Sequence, residues 1–498
     1  MLIVEKIVEL DGNSLTLEQA YSIAHGIKVG FAEGVERRVE KCKEFVHQKA
    51  KGKEPIYGIN TGIGYFANQR ISNDELKRLQ KNILASHASG FGSPLSIPQI
   101  RLSMALRLNV LVKGYTGVSF KLCTLLKDLI NKEIYPIIPE FGSVGASGDL
   151  APLAHLALPL IGLGQVFYKG ETIDAKEALQ REGLKALELD IKEGLGLING
   201  TQTMLSIGVI ALHEAKELMR RSHRITALSF EAMKANLAPL NPDLHTARGQ
   251  LGQMIAAHEI TKQLEGSYLA MEFTEPLRLQ DPYSLRCAPQ VHGASLDVLN
   301  YAIQVAENEL NAATDNPLVF PDEDLIVSGG NFHGQPLALA FDMVSMAISE
   351  MANISERRLE LMLNPNMSGL PAFLSPDEGL CSGYMAVQYL AASLVNECKL
   401  LANPSCTDSI PGNVGIEDHV SMGMTSARKF MKIVEHCATV LSIEMLVASQ
   451  AVDLRDAIPM GKGTLPVYEL LRKSVPKLND DRIVSNDVAK AREVFYRI

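Results

Sequence analysis

No Cys-x-x-Cys pair occurs anywhere in the 498 residues, and the seven cysteines (Cys42, Cys123, Cys287, Cys381, Cys398, Cys406 and Cys437) are scattered and odd in number. That removes the usual spacing of a zinc or dithiol site and points to reduced thiols in a cytosolic protein. No run of basic residues occurs either, and the formal net charge of -9 argues against a general nucleic-acid binder, which needs clustered Lys and Arg to neutralise phosphates. The opening residues MLIVEKIVELDG place charges inside their apolar stretch and lack a basic region followed by a long hydrophobic one. No secretory signal is therefore expected, and the cytoplasm is the expected compartment. Long uncharged runs are scarce. The one from Leu150 to Tyr168 is nearly long enough to span a bilayer, but Pro152, Pro159, Gly162, Gly164, His155 and Gln165 would break a helix or expose polar groups to lipid. It reads as a buried segment of a soluble core, and no membrane partner is expected.

The common catalytic signatures are missing as well. Gly194 to Gly200 (GLGLING) has the wrong glycine spacing for a dinucleotide fingerprint and joins no convincing strand to a helix. Gly461-Lys462-Gly463-Thr464 lacks the earlier glycine of a phosphate-binding loop. GASGD is not Gly-x-Ser-x-Gly, and no His-Glu-x-x-His occurs. Most of the twelve histidines lack ligand-like spacing, so no metal is expected. Low-complexity tracts and fixed-period repeats are absent too.

What is present is helical periodicity. Hydrophobic residues make up 46% and charged residues 21%, an ordinary globular balance. Ser72 with Glu75, and Thr16 with Gln19, fit capping boxes at helix starts. After Ser72, Leu76, Leu79, Ile83 and His87 recur at spacings of three and four, which turns His87 inward with the leucines. Three helical patterns without internal proline are very long: about Val291 to Ala313, Pro336 to Leu363 and Glu417 to Arg455. A helix of roughly 30 residues spans about 45 Å, so such helices are expected to pack together as a bundle and to favour subunit association. Strand signals are limited to LIVEKIVEL near the start and a hairpin at QVFYKGETI turned by Lys169-Gly170. Glycine and proline clusters at residues 57–64, 136–148, 194–200, 328–330, 365–379 and 403–415 separate the helices and are where a site on a rigid scaffold belongs. The fold class expected is mainly α, with a smaller mixed part over residues 1–200 and a long-helix bundle with a C-terminal helical region over 201–498.

One of those clusters, FGSVGASGDL (Phe141 to Leu150), holds Ser147 between Ala146 and Gly148. As a nucleophile, Ser147 would need a histidine base, and His155 is eight residues away, too far round a helix to be placed by local geometry. The small residues allow something else. With no side chain on Gly148, its backbone nitrogen can approach the Ala146 carbonyl carbon and close a five-membered ring. Loss of water would then turn the Ser147 side chain into an exocyclic methylene, an electrophile that no ordinary side chain supplies. Asp149 fits a helix N-cap with Pro152 in the first turn, which places the ring near the positive end of a helix dipole.

The segment GSVGASGDLAPLAHLAL closely resembles the part of the histidine and phenylalanine/tyrosine ammonia-lyase family in which Ala-Ser-Gly cyclises to methylidene-imidazolone (MIO). The resemblance runs through YGINTGIG (Tyr57 to Gly64), INGTQ (Ile198 to Gln202), QDPYSLRC (Gln280 to Cys287), GNFHG (Gly330 to Gly334), LNPNMSGLPAFL (Leu363 to Leu374) and IEDHVSMG (Ile416 to Gly423), nearly the whole chain. It implies the ammonia-lyase helical fold and removal of ammonia and a β-hydrogen from an aromatic α-amino acid. The cofactor would be MIO made from Ala146, Ser147 and Gly148, with no external cofactor. It also implies a homotetramer whose active sites draw on three subunits.

Position by position, Tyr57 resembles the family's tyrosine over the substrate, a candidate base, and Tyr283 its partner. A tyrosine, with an ordinary pKa of about 10, must be lowered to act as a base near neutral pH. Arg286 resembles the arginine that clamps the substrate carboxylate in a bidentate pair. Asn199 and Gln280 resemble the polar side chains that hold the ring and the reacting groups, and Phe332 an aromatic wall. Seen alone, Arg286 would be read as a surface ion pair and Tyr283 as a half-buried core tyrosine. In this ordered set the reading reverses.

His87 in ASHASGFG, Glu417 in IEDHVSMG and Met385 in CSGYMAVQ match the histidine-specific members. An imidazole and a carboxylate suit a substrate ring that donates and accepts hydrogen bonds, whereas an unpaired buried carboxylate against a phenyl ring would be costly. Two positions depart from the family's pattern. Asn413-Val414-Gly415-Ile416 replaces a more polar run ending in glutamine, next to the ring pocket, and Ala288 stands where glutamine is common. The resemblance therefore implies deamination of L-histidine to trans-urocanate. A tyrosine or phenylalanine ammonia-lyase, an aromatic 2,3-aminomutase and a catalytically silent helical scaffold are the alternatives.

Overall fold

The structure, a computed structural model, describes residues 7–271 and 274–498. Nineteen α-helices are seen among the described residues, with four small sheets between them. The chain therefore builds a mainly α protein, as its periodicity predicts. It divides into two compact units that do not follow a single cut: Met1–His213, Ala302–Asp342 and Pro404–Arg428 form one, and Glu214–Tyr301, Met343–Asn403 and Lys429–Ile498 the other. The long helices change unit along their length. Gln202–Met233, for example, begins in the first unit and ends in the second.

The first unit holds the strands. Ile7–Leu10 pairs in parallel with Lys28–Phe31; the rest of the expected strand LIVEKIVEL lies outside the described residues. The hairpin at Gln165–Tyr168 and Glu171–Asp174 forms as the sequence predicts. Lys169 at φ 48° and Gly170 at φ 86° supply two successive left-handed positions, the geometry of the tightest hairpin turn. Short strands Phe91–Pro94 and Pro139–Phe141 pair antiparallel beside the Ser147 loop.

Thr16 and Gln19 make the predicted capping box for Leu17–Ala24. Ser72 does not start its helix. Its hydroxyl bonds the Glu75 carboxylate at 3.2 Å, the intervening residues form turns, and the helix runs Leu76–His87 with Glu75 at its cap. Along that helix Leu76, Ile83 and Leu84 are buried and His87 is half-buried at the last turn. Each of those aliphatic side chains contributes about 1.5–3 kcal/mol by leaving water.

The long patterns appear as Ala288–Leu310, Gln335–Leu363 and Gly423–Arg455. The first begins earlier than expected because Pro289 in its first turn has no intrahelical bond to lose. The last begins six residues later than Glu417: Met422 at φ 53° cannot continue a right-handed helix, and Glu417 is left on a loop. Gln335–Leu363 and Gly423–Arg455 are long and apolar enough to cross a membrane, but 61% and 83% of their apolar windows are buried inside the protein. The uncharged Leu150–Tyr168 stretch breaks into helix Leu150–Ala157, the 3-10 turn Leu158–Ile161 and strand Gln165–Tyr168. All seven cysteines are free, and burial pushes the Cys42 thiol up to about 12, which suits inert structural thiols.

The second unit buries charge at its centre. Arg358 donates through Nε and Nη2 to Glu444 at 2.5 and 2.9 Å, and Ser229 and Ser355 complete the carboxylate's bonds at 2.7 and 2.6 Å. His223 and His292 stack beside it at 5.4 Å. Burial, then the Arg358 charge, lowers His223 to about 4 and His292 well below the usual range, so both are neutral.

Candidate active site

Three residues around Ser147 adopt left-handed backbone: Gly145 at φ 78°, Ser147 at 53° and Gly148 at 77°. For serine this is uncommon and costs about 1–2 kcal/mol, so the surroundings must impose it. They do. Gly145 and Gly148 pair with each other across the turn, and Gly148 also pairs with Gly200. A Cβ on Gly148 would sit 2.1 Å from the Gly200 carbonyl oxygen, and one on Gly145 would sit 2.1 Å from the Ser421 hydroxyl. Only glycine permits either approach. The Met422 N–H donates to the Val144 carbonyl at 3.0 Å and the Asp149 N–H to the Gly200 carbonyl at 2.7 Å, so two distant segments grip the loop.

Asp149 occupies the cap position of Leu150–Ala157, but its side chain makes no bond there. Its carboxylate instead accepts the N–H groups of Thr203 and Met204 at 2.9 and 2.8 Å, at the N-terminus of the long helix Gln202–Met233. The Ser143 hydroxyl adds a third bond at 3.2 Å. Burial pushes this carboxyl up to about 7, opposed by the Met204, Ser143 and Thr203 donors. The sequence identifies the capping residue but not the helix its carboxylate serves.

The Ser147 hydroxyl has no histidine base. It donates to Glu417 Oε1 at 3.2 Å, while His155 Nε2 accepts the Gly90 N–H at 3.0 Å. Asn199 Nδ2 reaches the Ser147 carbonyl at 3.4 Å, and its buried Oδ1 has no partner. Beneath it, the fully buried Arg107 donates to the Asn199 carbonyl and to Gln202 Oε1, both at 2.8 Å, and to the Thr314 carbonyl at 3.1 Å. Arg107 was not singled out by the sequence, because a lone arginine in an apolar helix gives no sign of its partners.

Three other candidates, Tyr57, Phe332 and His87, belong to the first unit. Tyr57 is half-buried; its hydroxyl accepts the Gly64 N–H at 3.3 Å, and its ring lines a cavity of about 420 Å³ with Ile56, Pro317, Leu325 and Ser328. Phe332, half-buried, presents its carbonyl oxygen 3.0 Å from where a Gly148 Cβ would lie. His87 closes its helix with Nδ1 2.8 Å from the Ile83 carbonyl, so that nitrogen carries the proton and Nε2 is left as an acceptor. Among the described residues no hydrogen bond joins His87 to Ser147. The structure therefore brings Ser147, Asn199 and Glu417 into bonding contact, with Phe332 beside Gly148.

Gln280, Tyr283, Arg286 and Met385 belong to the second unit. Gln280 and Tyr283 are exposed, Tyr283 by 70%, whereas Arg286 and Met385 are half-buried. Tyr283 and Arg286 lie on one short helix, Tyr283–Arg286, with the guanidinium 4.4 Å from the tyrosine ring centroid and Nε donating to the Asp281 carbonyl at 2.9 Å.

Comparison with known proteins bears on this arrangement. The pattern of the aromatic amino acid lyase family matches residues 15–473. A histidine ammonia-lyase of Treponema denticola is 46% identical over 492 residues, 98% of this chain and 97% of its own. Among solved structures, a histidine ammonia-lyase from Trypanosoma cruzi has a TM-score of 0.92 at 37% identity, covering 99% of this chain and 94% of that one. A tyrosine aminomutase from Streptomyces globisporus has a TM-score of 0.93 at 35% identity, covering 99% and 97%.

Proposed function

Since this chain belongs to the aromatic amino acid lyase family, we propose that it deaminates L-histidine to trans-urocanate and ammonia, using an MIO group made from its own Ala146, Ser147 and Gly148. The left-handed turn at Gly145–Gly148 and the orphaned Asn199 Oδ1 fit such a ring: the backbone is already folded on itself, and a buried polar atom awaits a partner. Ring closure joins the Gly148 nitrogen to the Ala146 carbonyl carbon, and two waters leave in all. Once formed, MIO supplies an electrophile that makes the substrate's amino group a better leaving group.

The protein's own residues do the rest. Arg286 holds the substrate carboxylate in a bidentate pair. Tyr57 and Tyr283 are the candidates to take the β-proton, and Asn199 and Gln280 orient the ring and the reacting groups. Phe332 and Met385 form apolar wall that excludes water. His87, with Nε2 as acceptor, and Glu417 take the two ends of the imidazole.

The observation that carries the histidine reading is the Glu417 carboxylate at 3.2 Å from the Ser147 hydroxyl. A carboxylate fixed beside the reactive serine matches a substrate ring with an N–H to donate and would oppose a phenyl ring. Self-association as a homotetramer in the cytoplasm belongs to the same proposal. It is supported by the exposed Leu279 and Tyr283, and by an apolar groove lined by Val291, Ala294, Val298, Met343 and Met346. The test mixes the protein with L-histidine and follows the ultraviolet absorbance of urocanate. Its growth, with an intact mass lower by two waters, is the expected result. No new absorbance, with a β-amino acid formed from tyrosine or phenylalanine, would overturn it.

A further inference from the structure

The loop before Glu417 is strained. Asn413 at φ 47°, Val414 at 55° and Gly415 at 86° follow one another in the left-handed region. Asparagine tolerates this because its short amide bonds locally; a β-branched valine does not, and costs about 1–2 kcal/mol there. The loop is closed by Gly412 N–H to the Glu417 carbonyl at 2.8 Å and Glu417 N–H to the Gly412 carbonyl at 3.3 Å. Strain held in place by such a closure is a reason to ask what the loop positions.

The polar side chain within the strained run is the half-buried Asn413 amide. Nδ2 donates to Glu417 Oε1 at 3.4 Å, and Oδ1 accepts the Tyr65 N–H at 3.2 Å. The neighbouring Gly64 N–H donates to the Tyr57 hydroxyl at 3.3 Å, and a Cβ on Gly64 would lie 2.2 Å from Asn413 Nδ2, so only glycine lets the loops meet. Two successive N–H groups thus feed Tyr57 and Asn413, while the other side of the same amide holds the carboxylate. Among the described residues, the polar side chains at bonding distance of that carboxylate are the uncharged Ser147 and Asn413.

We infer that Asn413 is a positioning residue, which registers the Tyr57 loop against Glu417 and so sets the aim of the carboxylate that takes the substrate ring. The identity of that ring rests on the histidine reading above; the contact itself does not.

Two variants test it. Asn413→Gly keeps the left-handed backbone without strain and removes both side-chain bonds. Its kcat/KM for L-histidine is expected to fall about tenfold, in the range of one hydrogen bond to a charged group, with the loss of two waters from the intact mass unchanged. Asn413→Asp keeps the acceptor for Tyr65 and sets a second carboxylate against Glu417. The acidic limb of its kcat/KM profile is expected to move up by about one pH unit. The Glu417 carboxylate band in difference infrared spectra, assigned with Glu417→Gln, should titrate higher by the same amount. Asn413→Gly within about twofold of the parent, or Asn413→Asp with its infrared titration unmoved, overturns the inference. A parent protein inert toward L-histidine, with the infrared shift still seen, overturns the histidine reading and leaves the Asn413 contact standing.

Discussion

Between Phe141 and Asp149 the chain grips itself. Gly145 pairs with Gly148, the Val144 carbonyl takes the Met422 N–H, and Ser143 bonds Asp149. Between Leu279 and Arg286 the base is held but the working side chains are not covered: Asp281 is buried and accepts the Asn236 N–H at 2.7 Å, while Leu279 and Tyr283 are 94% and 70% exposed. A loop that is to close a ring on itself, as proposed for Ala146 to Gly148, needs every partner in its own chain, because no encounter can be awaited during ring closure. A segment that receives substrate can be completed by a second copy, as proposed above. Rigidity therefore tracks the proposed chemistry: it is greater where that proposal closes a covalent bond within the chain than where it has another molecule arrive.

The sharpest way to break this comparison is Ser147→Ala. Ammonia release from L-histidine is expected to fall on the order of 10³-fold, about 4 kcal/mol of barrier, with the intact mass at the value of the uncyclised variant chain. Stability should change by only about 1 kcal/mol, since alanine meets the same left-handed cost as serine. Undiminished ammonia release would refute the electrophile.

Glu444→Gln probes the base of the second region. Arg358 also reaches the Ser284 carbonyl at 3.4 Å, inside the helix that carries Tyr283 and Arg286. Removing the charge leaves a buried guanidinium uncompensated and should cost about 3 kcal/mol of stability by denaturant titration, whereas replacing both partners, Arg358→Met with Glu444→Leu, should restore most of it. A single variant as stable as the parent would show that the pair does not anchor the segment.

How much of this was readable in advance depends on the sequence distance of the contact. Ser147 between Ala146 and Gly148 stands out because small residues in a row are a local signal, and the Thr16 capping box, the hairpin at Lys169-Gly170 and the apolar spacing of the long helices are local too. Ser72 misleads because a capping pattern specifies a box and not where the helix starts. The long helix Gln202–Met233 was not singled out; its middle, HEAKELMRRSHR, is polar enough to interrupt an apolar stripe. Contacts across the chain were invisible: Asn413 meets Tyr65 over 348 positions and Asp149 meets Thr203 over 54. Only the fold brings them together, and it is these contacts that aim the site.

The smallest effect sharpens the first region. Burial pushes the Asp149 carboxyl up to about 7, while two N–H groups at the start of the Gln202–Met233 helix and the Ser143 hydroxyl pull it down. In the unfolded chain an aspartate titrates near 4, so between about 4 and 7 the folded state binds the extra proton. The stabilisation from that proton is whole below about pH 4 and is lost as pH rises through about 7, roughly 2 kcal/mol of it between pH 5 and 7. Asp149→Asn retains an oxygen for the two N–H groups but cannot titrate, so over that interval its stability should fall less than the parent's by this amount. Other buried carboxyls, Glu231, Asp281 and Glu309, are also raised by burial, and they titrate in both proteins, so the difference isolates Asp149. Equal slopes would mean that the helix N-terminus outweighs burial and that Asp149 is already ionised at pH 5. The loop would then be held by a charge at a helix end and not by a protonated capping group.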